Sequence, residues 1–146
     1  MPDDAHSQTP LGTGWSLIDQ GPFEILTGPL FRTTLDLPPD EPLRIGFRVG
    51  PQHCNFNGPC HGGMISTFLD MALGLSMFEA TKALPNSPTM TLTVDFLGAA
   101  MAGDWIESRT RVLQATYRTA FCDATAVGPN GLVARANGIF KLTRPK

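Results

Sequence analysis

The sequence predicts an α+β fold, an antiparallel sheet wrapped around one long central helix, and two observations carry that prediction. Residues 61–78 are almost wholly apolar and hold Asp70 as their only ionisable side chain besides His61. On either side lie segments in which apolar and polar residues alternate, two before the apolar stretch and four after it. Alternation with period two marks strands with one buried face, and a long apolar run bounded by turn signals marks a buried helix.

The elements follow in order. Residues 1–12 read as a flexible tail, and residues 15–26 as a short helix or an irregular packing segment, so 1–28 is set apart from a single domain over 29–146. A short strand at 30–35 is closed by Pro38-Pro39-Asp40. Leu43, Ile45, Phe47 and Val49 then alternate with Arg44, Gly46 and Arg48, a half-buried strand. The loop at 51–60 is rich in turn formers: Asn55, Asn57, Gly58 and Pro59. The helix starts near Gly62 and ends before Pro85, which cannot continue it. Its apolar positions, from Met64 to Phe78, run round every face, which predicts burial on all sides. Beyond it, Met90, Leu92, Val94 and Phe96 alternate with threonines and Asp95, and Trp105 opens a strand with Glu107, Arg109 and Arg111 on one side. A strand at 117–127, a hairpin signal at Gly128-Pro129-Asn130-Gly131 and a last strand at 132–142 complete the chain. No helical pattern of crossover length separates the last four strands, so they are predicted to form an antiparallel meander.

Composition narrows the function. At 146 residues, 42% hydrophobic and 16% charged, the chain is expected to form a globular domain. A net charge of −2 argues against a nucleic-acid partner held through phosphates. The acidic N-terminus has no apolar core, so no signal peptide is expected. Placing Asp70 at the centre of a membrane span would cost roughly 2.5–3.5 kcal/mol, so no membrane partner is expected either. Three cysteines without a CxxC pair suit a reduced, cytoplasmic setting. His53, Cys54, Cys60 and His61 cluster in sequence, but their spacing departs from that of zinc sites, and no metal is expected.

The chemistry concentrates around the helix. A lone carboxylate midway along a buried helix is costly unless something offsets it, which singles out Asp70 as a general base or nucleophile. The competing reading is a structural carboxylate held by the hydroxyls of Ser66 or Thr67. Gly62, at the helix start, offers a backbone N–H to a developing oxyanion, and neither Gly62 nor Gly63 has a side chain to block a ligand. Asn55 carries an amide able to position water or a carbonyl, although turns use asparagine freely. His61 could act as a base, but its place at the same helix start favours a structural hydrogen bond.

A His-Gly-Gly followed by an acidic residue nine positions after the histidine, set within strand–helix–four strands, resembles the hotdog-fold acyl-CoA thioesterases. The likeness is to the phenylacetate-pathway and 4-hydroxybenzoyl-CoA type and extends over roughly 29–143, including His53-Cys54-Asn55 and the closing Gly131-to-Phe140 stretch. Cys60 departs from the pattern, where an aliphatic residue is commoner. The resemblance implies hydrolysis of an acyl-CoA to free acid and CoA without cofactor. It also implies a homodimer or dimer of dimers, a hydroxyl at Thr89 near the acidic residue, and orienting roles for Asn55 and His61. In that setting Arg118 is a candidate contact for a CoA phosphate, against the alternative of a solvated turn arginine. Phe56, Phe68 and Met64 suggest an apolar or aromatic acyl pocket, or else simply core. A hotdog dehydratase would need a catalytic histidine, and no histidine follows His61. A non-catalytic acyl-binding dimer is the other alternative. Gly62 and Asp70 lie about 12 Å apart along a helix, too far to serve one carbonyl, so the active site is expected to be shared between two subunits.

Overall fold

A computed structural model describes residues 14–19 and 21–146. The strands are β1 (Ser16–Leu17), β2 (Phe31–Thr33), β3 (Arg44–Arg48), β4 (Thr89–Phe96), β5 (Trp105–Ala115), β6 (Thr119–Gly128) and β7 (Gly131–Lys141). A short helix α1 (Pro22–Thr27) follows β1, and the long helix α2 (Gly62–Thr81) lies between β3 and β4. All seven strands form one antiparallel sheet in the order β1-β2-β3-β5-β6-β7-β4, curled around α2.

The expected meander holds only for β5, β6 and β7. The strand that follows α2, β4, pairs with β7 at the far edge, with Val94 opposite Ala136, and not with β5. The eight residues 97–104 reach back over three strand spacings, about 14 Å, well within the span of an extended chain of that length. They are pinned across the sheet end by the N–H groups of Leu97 and Gly98, which both donate to Val133 O (2.8 and 3.0 Å), and by Cys60 N, which donates to Ala100 O (2.7 Å). A side chain on Gly98 would place its Cβ 2.6 Å from Leu132 O, so the crossing requires glycine.

The helix is not covered on every face. Met64, Ile65, Phe68, Leu69, Ala72, Leu73, Ser76 and Met77 form its buried stripe against the concave side of the sheet. Small residues on β6 and β7, among them Ala124, Ala126, Ala134 and Ala136, let it lie close. The opposite stripe, including Ser66, Asp70, Met71, Gly74, Leu75 and Phe78, is half-buried and lies in the open seam of the curl. Seven strands closing on one side of a cylinder leave this second face free. Phe68 lies wholly in the core, against Phe47 with ring centroids 4.8 Å apart, whereas Met64, mostly buried, also reaches a hollow beside His61, Gly63 and Thr67.

The buried stripe is not purely apolar. Ser76 Oγ and Thr110 Oγ1 both lie within hydrogen-bond distance of Leu43 O (3.2 and 3.0 Å) and of each other, so that one hydroxyl donates to the carbonyl and the other to its hydroxyl neighbour. Ser108 Oγ accepts from Ile45 N (3.0 Å). The buried hydroxyls on α2 and β5 are thereby satisfied, as burial demands. At its C-terminal end, Lys82 takes the left-handed conformation with φ 53° and its N–H bonds to Phe78 O. Lys82 thereby stops α2 before Pro85.

Phe68 is fully enclosed, so truncation leaves a cavity that the rigid sheet cannot collapse around. Phe68→Ala is expected to destabilise the protein by about 3–5 kcal/mol, measured by urea unfolding followed by circular dichroism.

Candidate functional site

The predicted residues fall into three places. Asp70 and Thr89 meet at mid-helix. Asn55, Phe56, His61, Gly62 and Gly63 gather at the N-terminal end of α2. Arg118 sits in the turn between β5 and β6.

At mid-helix Asp70 is only half-buried, and its partner is neither Ser66 nor Thr67. Thr89, the first residue of β4, donates from Oγ1 to Asp70 Oδ1 at 2.8 Å, and Oδ2 carries no hydrogen bond among the described residues. Ser66 turns back to its own helix, donating to Gly62 O (2.8 Å). The carboxylate therefore avoids the cost of full burial by facing the seam, with one oxygen oriented and one free.

Asp70 stands in a groove of about 310 Å³. Its floor is the outward stripe of α2: Met71, Gly74, Leu75 and Phe78. One wall comes from Pro85, Pro88, Thr89 and Phe140, the other from Ile18, Asp19, Glu24 and Arg32. Of these lining residues the sequence singles out only Asp70 and Thr89 as site residues. The i, i+1, i+4, i+5, i+8 spacing after Asp70 was the available signal, masked by the apolar residues on every other face. Glycine within a helix costs about 1 kcal/mol relative to alanine. An added Cβ at Gly74 would lie 3.6 Å from Phe140 Cε1, an ordinary contact, so packing within the chain does not demand glycine there.

At the helix N-terminus, His61 Nδ1 accepts from Gly63 N (2.8 Å). That hydrogen bond consumes the Gly63 donor, whereas the Gly62 N–H has no partner among the described residues. A Cβ on Gly62 would lie 3.1 Å from the Phe96 ring at the end of β4. Asn55 N donates to Pro59 O (2.9 Å), and Asn55 Oδ1 accepts from Asn57 N (2.8 Å), forming the turn its residue type favours. Its amide NH2 stays without a partner among the described residues. Phe56, at the tip of this loop, is 98% exposed. His53 is buried with both ring nitrogens occupied: Nδ1 accepts from Gly50 N, and Nε2 pairs with Thr27 O, tying α1 to this loop. No group of three or more metal-ligating side chains comes together among the described residues.

Cys54 and Cys60 face each other across an isolated antiparallel bridge at the base of the loop. Burial pushes the Cys60 thiol up to about 12 with a smaller contribution from Cys54, and burial likewise pushes Cys122 up to about 11. Both stay protonated at neutral pH.

Arg118 is exposed in a hollow of about 310 Å³ shared with Tyr117, Lys141 and Arg144. Arg144 donates to Thr81 O (2.7 Å) at the C-terminal end of α2, where a cation is favoured, and lies over the Tyr117 ring. Lys141 follows Phe140, which lines the Asp70 groove.

A curled antiparallel sheet around one long helix, with a carboxylate on the helix's free face, defines the hotdog architecture. The chain belongs to the thioesterase superfamily, whose family profile matches residues 57–134, and it is a thioester hydrolase. A Pseudomonas aeruginosa protein that carries the name Putative esterase PA0474 is 39% identical over 100 residues, covering 68% of this chain and 75% of the relative. Among solved structures, a mutant of the phenylacetic acid degradation protein PaaI from Thermus thermophilus superposes with a TM-score of 0.69 at 24% identity, over 84% of this chain and 99% of that one. A Streptococcus mutans protein solved with acetyl CoA gives 0.66 at 20% identity, over 75% and 88%. No helix among the described residues is long and apolar enough to cross a membrane.

The raised thiols give a direct test. Alkylation at pH 8 should spare Cys60 and Cys122 in the folded protein and reach them in denaturant, read by peptide mass spectrometry. Because both pKa values rise on folding, the folded state holds protons that the unfolded state releases. The contribution of these two thiols to stability should be level below about pH 8.5 and fall as pH rises towards the folded values, which unfolding of the Cys60→Ala and Cys122→Ala variants against pH would isolate.

Proposed function

We propose that this protein is an acyl-CoA thioesterase whose active site is completed by a second copy of the chain. The observation that carries this reading is the Asp70 carboxylate, oriented by Thr89 on one oxygen and free on the other among the described residues, in a groove floored by Met71, Leu75 and Phe78. Water attacks the thioester carbonyl carbon while Asp70 Oδ2 takes its proton, a general-base step. The carbonyl oxygen becomes an oxyanion held by the Gly62 N–H, and the carbon–sulfur bond breaks to release the acid and the CoA thiolate, which takes up a proton. Asn55, through its free NH2, positions the water or the carbonyl, while Gly63 and His61 shape the helix end. In a nucleophilic variant of the same scheme, Asp70 would attack the carbonyl directly.

The two halves of this machinery lie about 12 Å apart along α2, so a partner must supply one of them. The edge of the sheet supports such a partner. β4 is an eight-residue edge strand paired only with β7, and Met90, Phe96 and Leu97 on or beside it are exposed. A long edge with few charges is a template for pairing with another strand. A twofold dimer would set the Asn55–Gly62 end of one chain, with Phe56, beside Asp70 of the other. For the CoA end, the guanidinium of Arg118 and the neighbouring Lys141 suit a phosphate. The Streptococcus mutans structure solved with acetyl CoA supports CoA as the carrier at the level of fold. A reduced cytoplasmic setting fits the three free thiols.

Thiol release from a panel of acetyl-, phenylacetyl- and palmitoyl-CoA tests the activity. Asp70→Asn should reduce turnover by at least about a hundredfold, at the lower end of what general-base catalysis supplies, with an unchanged circular dichroism spectrum. Full turnover in that variant would remove Asp70 from the chemistry. Sharing of the site is tested by unfolding Asp70→Asn and Asn55→Ala together and refolding the mixture. Random pairing makes half the dimers mixed, each with one intact site, and restores roughly a quarter of wild-type activity. Activity no higher than that of the separate variants would show that each chain carries its own site.

A further inference from the structure

We propose that Gly74 determines acyl selectivity, forming the open floor of a channel from Asp70 to Phe78 that takes a neutral aryl-acyl or medium-length alkyl-acyl group. The inference rests on the placement of the thioester carbonyl at Asp70 and adds the far end of the substrate. Along the floor, Met71, Leu75 and Phe78 carry side chains into or beside the groove and Gly74 does not. The helix thus keeps a residue that weakens it at a point where the surrounding packing would accept a methyl group. The space above Gly74 begins one helical turn from the carboxylate, about 6 Å along the axis, where the body of an acyl group bonded to the reacting carbonyl must lie.

The walls define what can occupy it. Ile18, Leu75, Phe78 and the Phe140 ring offer apolar surface, which suits a phenyl ring or an alkyl chain. The rim carries Asp19 and Glu24, and the one cation among the described lining residues, Arg32, already faces Glu79 at 3.7 Å. An acyl group ending in a carboxylate therefore meets acidic neighbours without a free cation, and dicarboxylic acyl-CoAs are disfavoured.

The test uses the full-length enzyme with acetyl-, phenylacetyl-, octanoyl- and glutaryl-CoA, reading kcat/KM for each. The wild type should favour phenylacetyl and octanoyl over acetyl and glutaryl. Gly74→Leu should lower the phenylacetyl-to-acetyl ratio by at least about tenfold, the scale of discrimination that misfit in an apolar pocket produces, and Gly74→Ala by a smaller factor. Phe78→Ala should move the chain-length preference upwards by opening the far end. If Gly74→Leu does not fold, the Gly74→Ala and Phe78→Ala ratios decide. Ratios within about twofold of wild type in the folded Gly74 variants would overturn the proposal. So would a loss of dimer mass by light scattering with the ratios unmoved, since that assigns Gly74 to a contact with a second copy. Unmoved ratios alongside an inactive Asp70→Asn would refute only the role of Gly74. An Asp70→Asn variant with full turnover would instead refute the underlying active-site assignment.

Discussion

The rotation of α2 about its own axis is the constraint on which the rest of this structure depends. A helix apolar on nearly every face gains about as much from burying one side as another, so hydrophobicity alone leaves the rotation open. Two polar requirements close it. Ser76 must reach Leu43 O and Thr110 inside the sheet, because a buried hydroxyl without a partner is costly. Asp70, six residues earlier and so about 120° away around the helix, is thereby turned to the seam, where Thr89 meets it. The interaction that settles the core therefore also decides that Asp70 is the side chain presented to the seam.

The same setting separates the two ends of the chemistry. One rigid helix holds an unbonded Gly62 N–H at its start and a half-solvated carboxylate at its middle, and neither can approach the other. A rigid helix of this kind keeps the two groups at a fixed separation of about 12 Å along its axis. The exposed β4 edge and the uncovered helix face are then two aspects of one incompleteness.

Much of this was legible in the sequence, and what was not has physical causes. Strands such as β3 and β5 declare themselves because one side faces the core, so Ile45 and Phe47 or Ile106 and Ser108 recur at every second position. The helix start at Gly62 and its stop before Pro85 follow from local chemistry. The partner of β4 does not, because local pattern records which face is buried but not which neighbour a strand meets after an eight-residue crossing. β1, two residues long, is too short to show a period. Asp70 was recognisable as the anomaly in its helix, while its environment was not: burial was inferred from apolar neighbours, most of which face the sheet. Phe68 and Phe56 show the same limit, since two aromatics of equal hydrophobicity end up in the core and in solvent.

The bed of alanines under α2 has a consequence beyond packing. Ala124 and Ala126 on β6 and Ala134 and Ala136 on β7 set the height at which the helix rides above the sheet, and Gly138 lets Leu73 come closer still. A methylene added anywhere in that bed would lift the helix as a body, because close-packed interiors transmit strain and do not absorb it. The lift would carry Asp70 away from Thr89 and reshape the groove that α2 floors. Residues buried beneath the helix thus act as spacers, and drift in their size over evolutionary time offers a way to retune the groove without altering a single group that lines it.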